Sequence, residues 1–86
     1  MTVHFYGKVL DHTSGERSIE IEESPDLRAL VDELANRYGG KFKGHLLSGD
    51  FCFFLINGKG VMATGGLGSK LDPDDKIEVL PIFEAG

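Results

Sequence analysis

The sequence predicts a single α+β domain: a mixed sheet of four or five strands, covered on one face by one main helix. Two observations carry this. A capped, amphipathic helical stretch at residues 25–38 has alternating apolar segments on both sides of it. A chain of 86 residues also leaves room for only one core.

The elements follow in order. Residues 3–10, VHFYGKVL, alternate as a strand, with Val3, Phe5 and Val9 on one face. DHTSGE supplies turn chemistry through Asp11, Ser14 and Gly15. RSIEIE is a second strand, with Ile19 and Ile21 inward and the glutamates outward, and it closes a hairpin with the first. Ser24 is the expected N-cap of the helix, Pro25 its first residue, and Asp26 suits the positive end of the dipole. Leu27, Leu30, Val31, Leu34, Ala35 and Tyr38 then fall on one stripe, and Gly39-Gly40 ends the helix.

Beyond it, KFKGHLLSGD reads as a connection with apolar anchors. FCFFLI is a buried strand, and Asn57-Gly58 is a hairpin turn. A short strand is expected near Val61, then loop, then the turn DPDD and a last strand, KIEVL. The order β-β-α-β-(β)-β, two hairpin-like units flanking one helix, is the β-grasp arrangement. Residues 1–81 form the expected domain and residues 82–86 an extended tail.

Composition narrows the function. Fourteen acidic residues against nine basic give a net charge of −5. The longest basic cluster is Lys41-Phe42-Lys43, so a nucleic-acid partner is disfavoured, and an RNA-binding role for such a fold with it. An acidic carrier docking on a basic enzyme surface suits the balance better. No apolar run reaches membrane-spanning length and the start lacks a basic signal region, so the expectation is a cytoplasmic protein with no membrane partner.

Cys52 is the single cysteine and reads as a small buried apolar side chain. His4, His12 and His45 lack metal-ligand spacing, and the expectation is no metal. Asp72, Asp74 and Asp75 read as a turn rather than a calcium loop. NGKG and GLGSK complete neither a phosphate loop nor a dinucleotide fingerprint. No catalytic constellation stands out, and the chain is not expected to be an enzyme.

The closing stretch, LDPDDKIEVLPIFEAG, resembles the ending of the MoaD/ThiS-type ubiquitin-like sulfur carriers. These are the small subunit of molybdopterin synthase and the thiamine-biosynthesis carrier. Their ending runs leucine, a short turn, aspartate, a hydrophobic strand, proline, and a tail closing in Gly-Gly. Leu71, Asp75, Ile77, Val79 and Pro81 match it, and Gly86 falls at the position of the terminal glycine. INGK, VHFYG and SPDLRALVDELANRYG resemble the family's Asn-Gly segment, first strand and helix. The long opening hairpin looks more like the molybdopterin-synthase type. One residue departs: Ala85 stands where the family typically has glycine.

The resemblance implies a sulfur carrier in molybdenum or tungsten cofactor biosynthesis. Gly86 would be adenylated by an E1-like adenylating enzyme using ATP, then converted to a thiocarboxylate. The chain itself would bind no cofactor. Ile82, Phe83, Glu84 and Ala85 would pass into a partner, either the larger molybdopterin synthase subunit or an analogous sulfur-accepting enzyme. Ala85 adds a methyl group against a tight channel, costing about 1 kcal/mol. If positive φ is required there, the cost is about 1–2 kcal/mol.

The sheet's outer face offers a partner-binding surface of Tyr6, Phe54 and Leu80. Phe54 belongs to it only if Phe53 and Leu55 are the inward pair, which the unbroken apolar run leaves open. The competing arrangement folds segments 41–49 and 60–70 over this face. Two functional rivals share the fold: a ubiquitin-like protein modifier, and an interaction module with an inert tail.

Overall fold

The computed structural model describes residues 1–49, 51–61 and 65–82. Its sheet has five strands in the order β2-β1-β5-β3-β4: β1 Thr2–Phe5, β2 Ser18–Glu20, β3 Cys52–Ile56, β4 Lys59–Gly60 and β5 Lys76–Pro81. β1 runs parallel to β5 and every other pairing is antiparallel. With the helix α1, Leu27–Tyr38, crossing one face, this is the β-grasp fold.

The first strand is shorter than its alternation predicts. It stops at Phe5, and Gly7 at φ +57 turns the chain into a 3-10 helix, Gly7–Asp11. Val9 is still fully buried, but as the anchor of that turn rather than as a strand residue. β2 keeps its predicted alternation, with Ile19 and Ile21 buried. Its register, Val3 opposite Ile19, follows because both residues face the core.

The cap of α1 sits two residues later than Ser24. Asp26 is the N-cap, its carboxylate accepting the Ala29 N–H at 2.9 Å. Ser24 and Pro25 precede the helix, where the Pro25 carbonyl accepts the Leu71 N–H at 3.1 Å. The Leu27 N–H in turn donates to the Ser69 carbonyl at 3.0 Å, so the helix start is fastened to the segment that leads into β5. Leu27, Leu30, Val31 and Leu34 bury the stripe. Tyr38 closes it and donates from its hydroxyl to Glu16 at 2.9 Å. Partial burial, then that bond, push the hydroxyl up to about 12.

Residues predicted as connection form a second helix, α2, Gly40–Ser48. Gly39, at φ +103, ends α1 and starts α2, a conformation that side-chain-bearing residues avoid. Phe42 and Leu46, one turn apart, bury α2 beside α1. Four glycines, Gly39, Gly40, Gly44 and Gly49, flank or interrupt the helix, which hides it from a propensity reading.

Asn57 and Gly58, both at positive φ, make the predicted turn into β4, which ends just before Val61. A short 3-10 turn, Gly66–Gly68, packs against α1. The core lies between the sheet and α1, with Ile77 and Val79 of the central strand β5 fully buried.

Candidate functional site

β5 carries the candidate site because it is the central strand and leads directly to Ile82 and the end of the sequence. Past Pro81, the Ile82 N–H donates to the Phe51 carbonyl at 2.9 Å, and its side chain is exposed. This bond fixes the root of the tail against the residue that precedes β3. Phe83, Glu84, Ala85 and Gly86 lie outside the described residues.

The outer face of the sheet rises beside this root. Leu80 pairs with Phe53, and Phe54 pairs with Val79. Cross-strand partners share a face, and Val79 is fully buried, so Phe54 points into the core and Phe53 points out. The expected surface of Tyr6, Phe54 and Leu80 is therefore corrected: Phe54 is 4% exposed and Phe53 is 41% exposed. Tyr6, at 38% exposure, completes an apolar surface with Phe53 and half-buried Leu80. Among the described residues, α2 and the 3-10 turn at 66–68 pack against α1, on the opposite face of the sheet.

Polar groups border the patch. The Tyr6 hydroxyl donates to Glu78 Oε2 at 3.0 Å, and Lys76 Nζ lies 4.0 Å from the same carboxylate. The hydrogen bond to Glu78 raises the Tyr6 pKa, followed by burial and then by that carboxylate's negative charge. Tyr6 thus stays a neutral donor. An exposed aromatic pair, an aliphatic neighbour and a fixed carboxylate suit protein recognition. They supply no nucleophile or paired acid and base.

Around the edge of β3, Phe53 also lines a groove of 390 Å³ with Leu46, Leu47 and Leu67. Leu47 is 48% exposed there. The structure further brings together two histidines that sequence spacing kept apart, His12 and His45, whose ring centroids are 5.1 Å apart. That proximity arises because His12, at the end of the 3-10 helix Gly7–Asp11, stacks on Phe42 of α2.

The tail-bearing central strand can be set beside known proteins. The ThiS family model matches residues 3–86, nearly the whole chain and its last residue. The chain belongs to the ThiS family. It is thus a member of the ubiquitin-like sulfur carriers that its ending resembles. Among curated proteins the sequence has no match.

Solved structures of the same shape differ in what they do. A chain of the Amycolatopsis orientalis BexX/CysO complex is 26% identical, with a TM-score of 0.82 over 99% of this chain and 98% of that one. Small archaeal modifier protein 1 of Methanosarcina acetivorans is 19% identical, with a TM-score of 0.77 over 99% and 94% of the two chains. A Pyrococcus furiosus protein, provisionally assigned as molybdopterin converting factor subunit 1, is 23% identical, with a TM-score of 0.69 over 93% of each chain. The last two establish likeness of fold alone. Among the described residues no helix is long and apolar enough to cross a membrane.

Proposed function

We propose that this chain carries sulfur as a thiocarboxylate on Gly86 and delivers it to a larger enzyme docked on Tyr6, Phe53 and Leu80. The family match through residue 86 carries the reading, because it includes the tail on which the chemistry depends. A carboxylate is a poor electrophile and must be activated first. Its oxygen attacks the α-phosphorus of ATP held by an E1-like enzyme, and pyrophosphate leaves. Sulfide-level sulfur, as hydrosulfide, then attacks the acyl carbon and AMP departs as the leaving group, which gives the thiocarboxylate with no change of oxidation state.

The acyl-adenylate must be shielded from water, which this small domain cannot do alone. The tail must therefore extend from its root at Ile82 into the partner. Ile82 and Phe83 are the apolar anchors, and Glu84 and Ala85 lead to Gly86. Ala85 permits any extended, negative-φ path, so activation proceeds with a penalty of about 1 kcal/mol from its methyl group.

The similarity to the provisionally assigned molybdopterin converting factor supports a role as small subunit of molybdopterin synthase, in molybdenum or tungsten cofactor biosynthesis. The higher similarity to a chain of the BexX/CysO complex favours a second reading, with a different sulfur-accepting enzyme as partner. Likeness to an archaeal modifier keeps protein conjugation as the rival fate of the same activated tail.

ATP–pyrophosphate exchange with a cognate activating enzyme tests the first step. Exchange that depends on this chain and vanishes on deleting Gly86 supports the proposal. Absence of exchange, with an enzyme active on its own carrier, points to an inert interaction module. Higher-mass conjugates in cell lysate would favour the modifier.

A further inference from the structure

His12 caps the C-terminal end of the 3-10 helix, and His45 lies in the last turn of α2. Their rings meet at 5.1 Å between centroids and 58° between planes. Packing holds both in place. His12 stacks flat on buried Phe42, at 5.2 Å and 2°. Phe51 meets His12 edge-on at 5.2 Å and His45 at 4.6 Å. Both histidines are half-buried, so each keeps part of its ring in solvent.

We propose that His12 and His45 form a two-imidazole site for a divalent transition-metal ion of the zinc, nickel and copper group. Two imidazoles sharing a tetrahedral ion, with metal–nitrogen bonds of about 2.0–2.1 Å, have ring centroids about 5 Å apart. The pair already has that separation. Imidazole nitrogen suits these ions, whereas magnesium and calcium prefer oxygen.

Among the described residues no three ligating side chains gather in one place. Water therefore completes the coordination sphere, and the ion exchanges rather than staying as a structural zinc would. Its place in the fold gives it a consequence. An ion here joins the 3-10 helix to α2 across Phe51, whose carbonyl holds the root of the tail through Ile82. The site stands whether or not Gly86 carries sulfur.

Zinc chloride titrated into the full chain tests this, followed by calorimetry and by the imidazole resonances of the three histidines. The expected result is one zinc per chain, with His12 and His45 shifting together and His4 unmoved. Losing a ligand costs at least what losing a ligand's outer partner costs, so His12→Gln or His45→Gln weakens binding roughly tenfold or more. His4→Gln leaves it unchanged. Should either variant unfold, the wild-type ring shifts decide alone. Rings of His12 and His45 that ignore millimolar zinc overturn the proposal. So does affinity unchanged in folded His12→Gln and His45→Gln variants, or one ion shared between two chains.

Discussion

Asn57 and Lys76 clamp the β3–β4 turn to the start of the central strand. The Asn57 N–H donates to the Lys76 carbonyl at 2.8 Å, and the Lys76 N–H returns a bond to Asn57 Oδ1 at 2.8 Å. Asn57 Nδ2 also donates to Asp75 Oδ1 at 2.8 Å, and Asp75 Oδ2 accepts the Asp72 N–H at 2.8 Å. One side chain thus aligns two chain reversals at the end of the sheet remote from the tail. Asn57 does so at φ +52, a conformation asparagine tolerates better than most residues. Asn57→Ala removes the side-chain bonds and strains the backbone, and should cost about 2–3 kcal/mol in urea unfolding. Asn57→Gly relieves the strain alone and should cost measurably less. Equal losses in the two variants would refute the backbone contribution.

The two neighbouring phenylalanines of β3 should separate stability from recognition. Phe54→Ala opens a cavity in the core and should destabilise by about 3–5 kcal/mol. Phe53→Ala should change stability by less than about 1 kcal/mol, yet weaken partner binding roughly tenfold or more. Unfolding curves and titration calorimetry with a cognate sulfur-accepting enzyme measure the two effects.

Glycines in and beside α2 should respond in opposite directions. A Cβ at Gly44 meets nothing within 4 Å and the position is helical, so Gly44→Ala should stabilise by about 0.5–1 kcal/mol. A Cβ at Gly39 also finds open space, but φ is +103, and Gly39→Ala should destabilise by about 1–2 kcal/mol. Thermal unfolding midpoints distinguish the signs.

Acid should act through His12. Its pKa is lowered on folding, mainly by burial and then by His45 and Lys41, so the unfolded chain binds more protons between the folded and unfolded values. Stability from this group is complete above the unfolded value of about 6.5 and is lost as pH falls through the folded one. Replacing His12 by Gln should flatten the fall in urea midpoint below pH 6.5. An unchanged pH profile would contradict this.

Where helical periodicity and turn chemistry decide, the sequence was a good guide, although the N-cap fell at Asp26 rather than Ser24. The stripe from Leu27 to Leu34 and the turn at Asn57-Gly58 both appear as expected, because short-range periodicity and φ preference determine them. Where tertiary context decides, it misled. Gly7 ends a strand that the apolar pattern would continue to Leu10. α2 exists because Phe42 and Leu46 reach the core despite poor helix propensity. FCFFLI could face either way until its register with KIEVL put Phe54 opposite Val79. The inward choice of Val79 was legible; the pairing that transmits it to β3 was not. Likewise, no spacing rule joins His12 to His45, which meet only through two packed helical turns.

The central claim is that Gly86 becomes a thiocarboxylate. Intact mass spectrometry after incubation with ATP, a cognate activating enzyme and a sulfur donor tests it most directly. The account predicts a gain equal to one oxygen replaced by sulfur, abolished when Gly86 is deleted and retained with Ala85 in place. No gain, with an activating enzyme that thiolates its own carrier in the same assay, would contradict it.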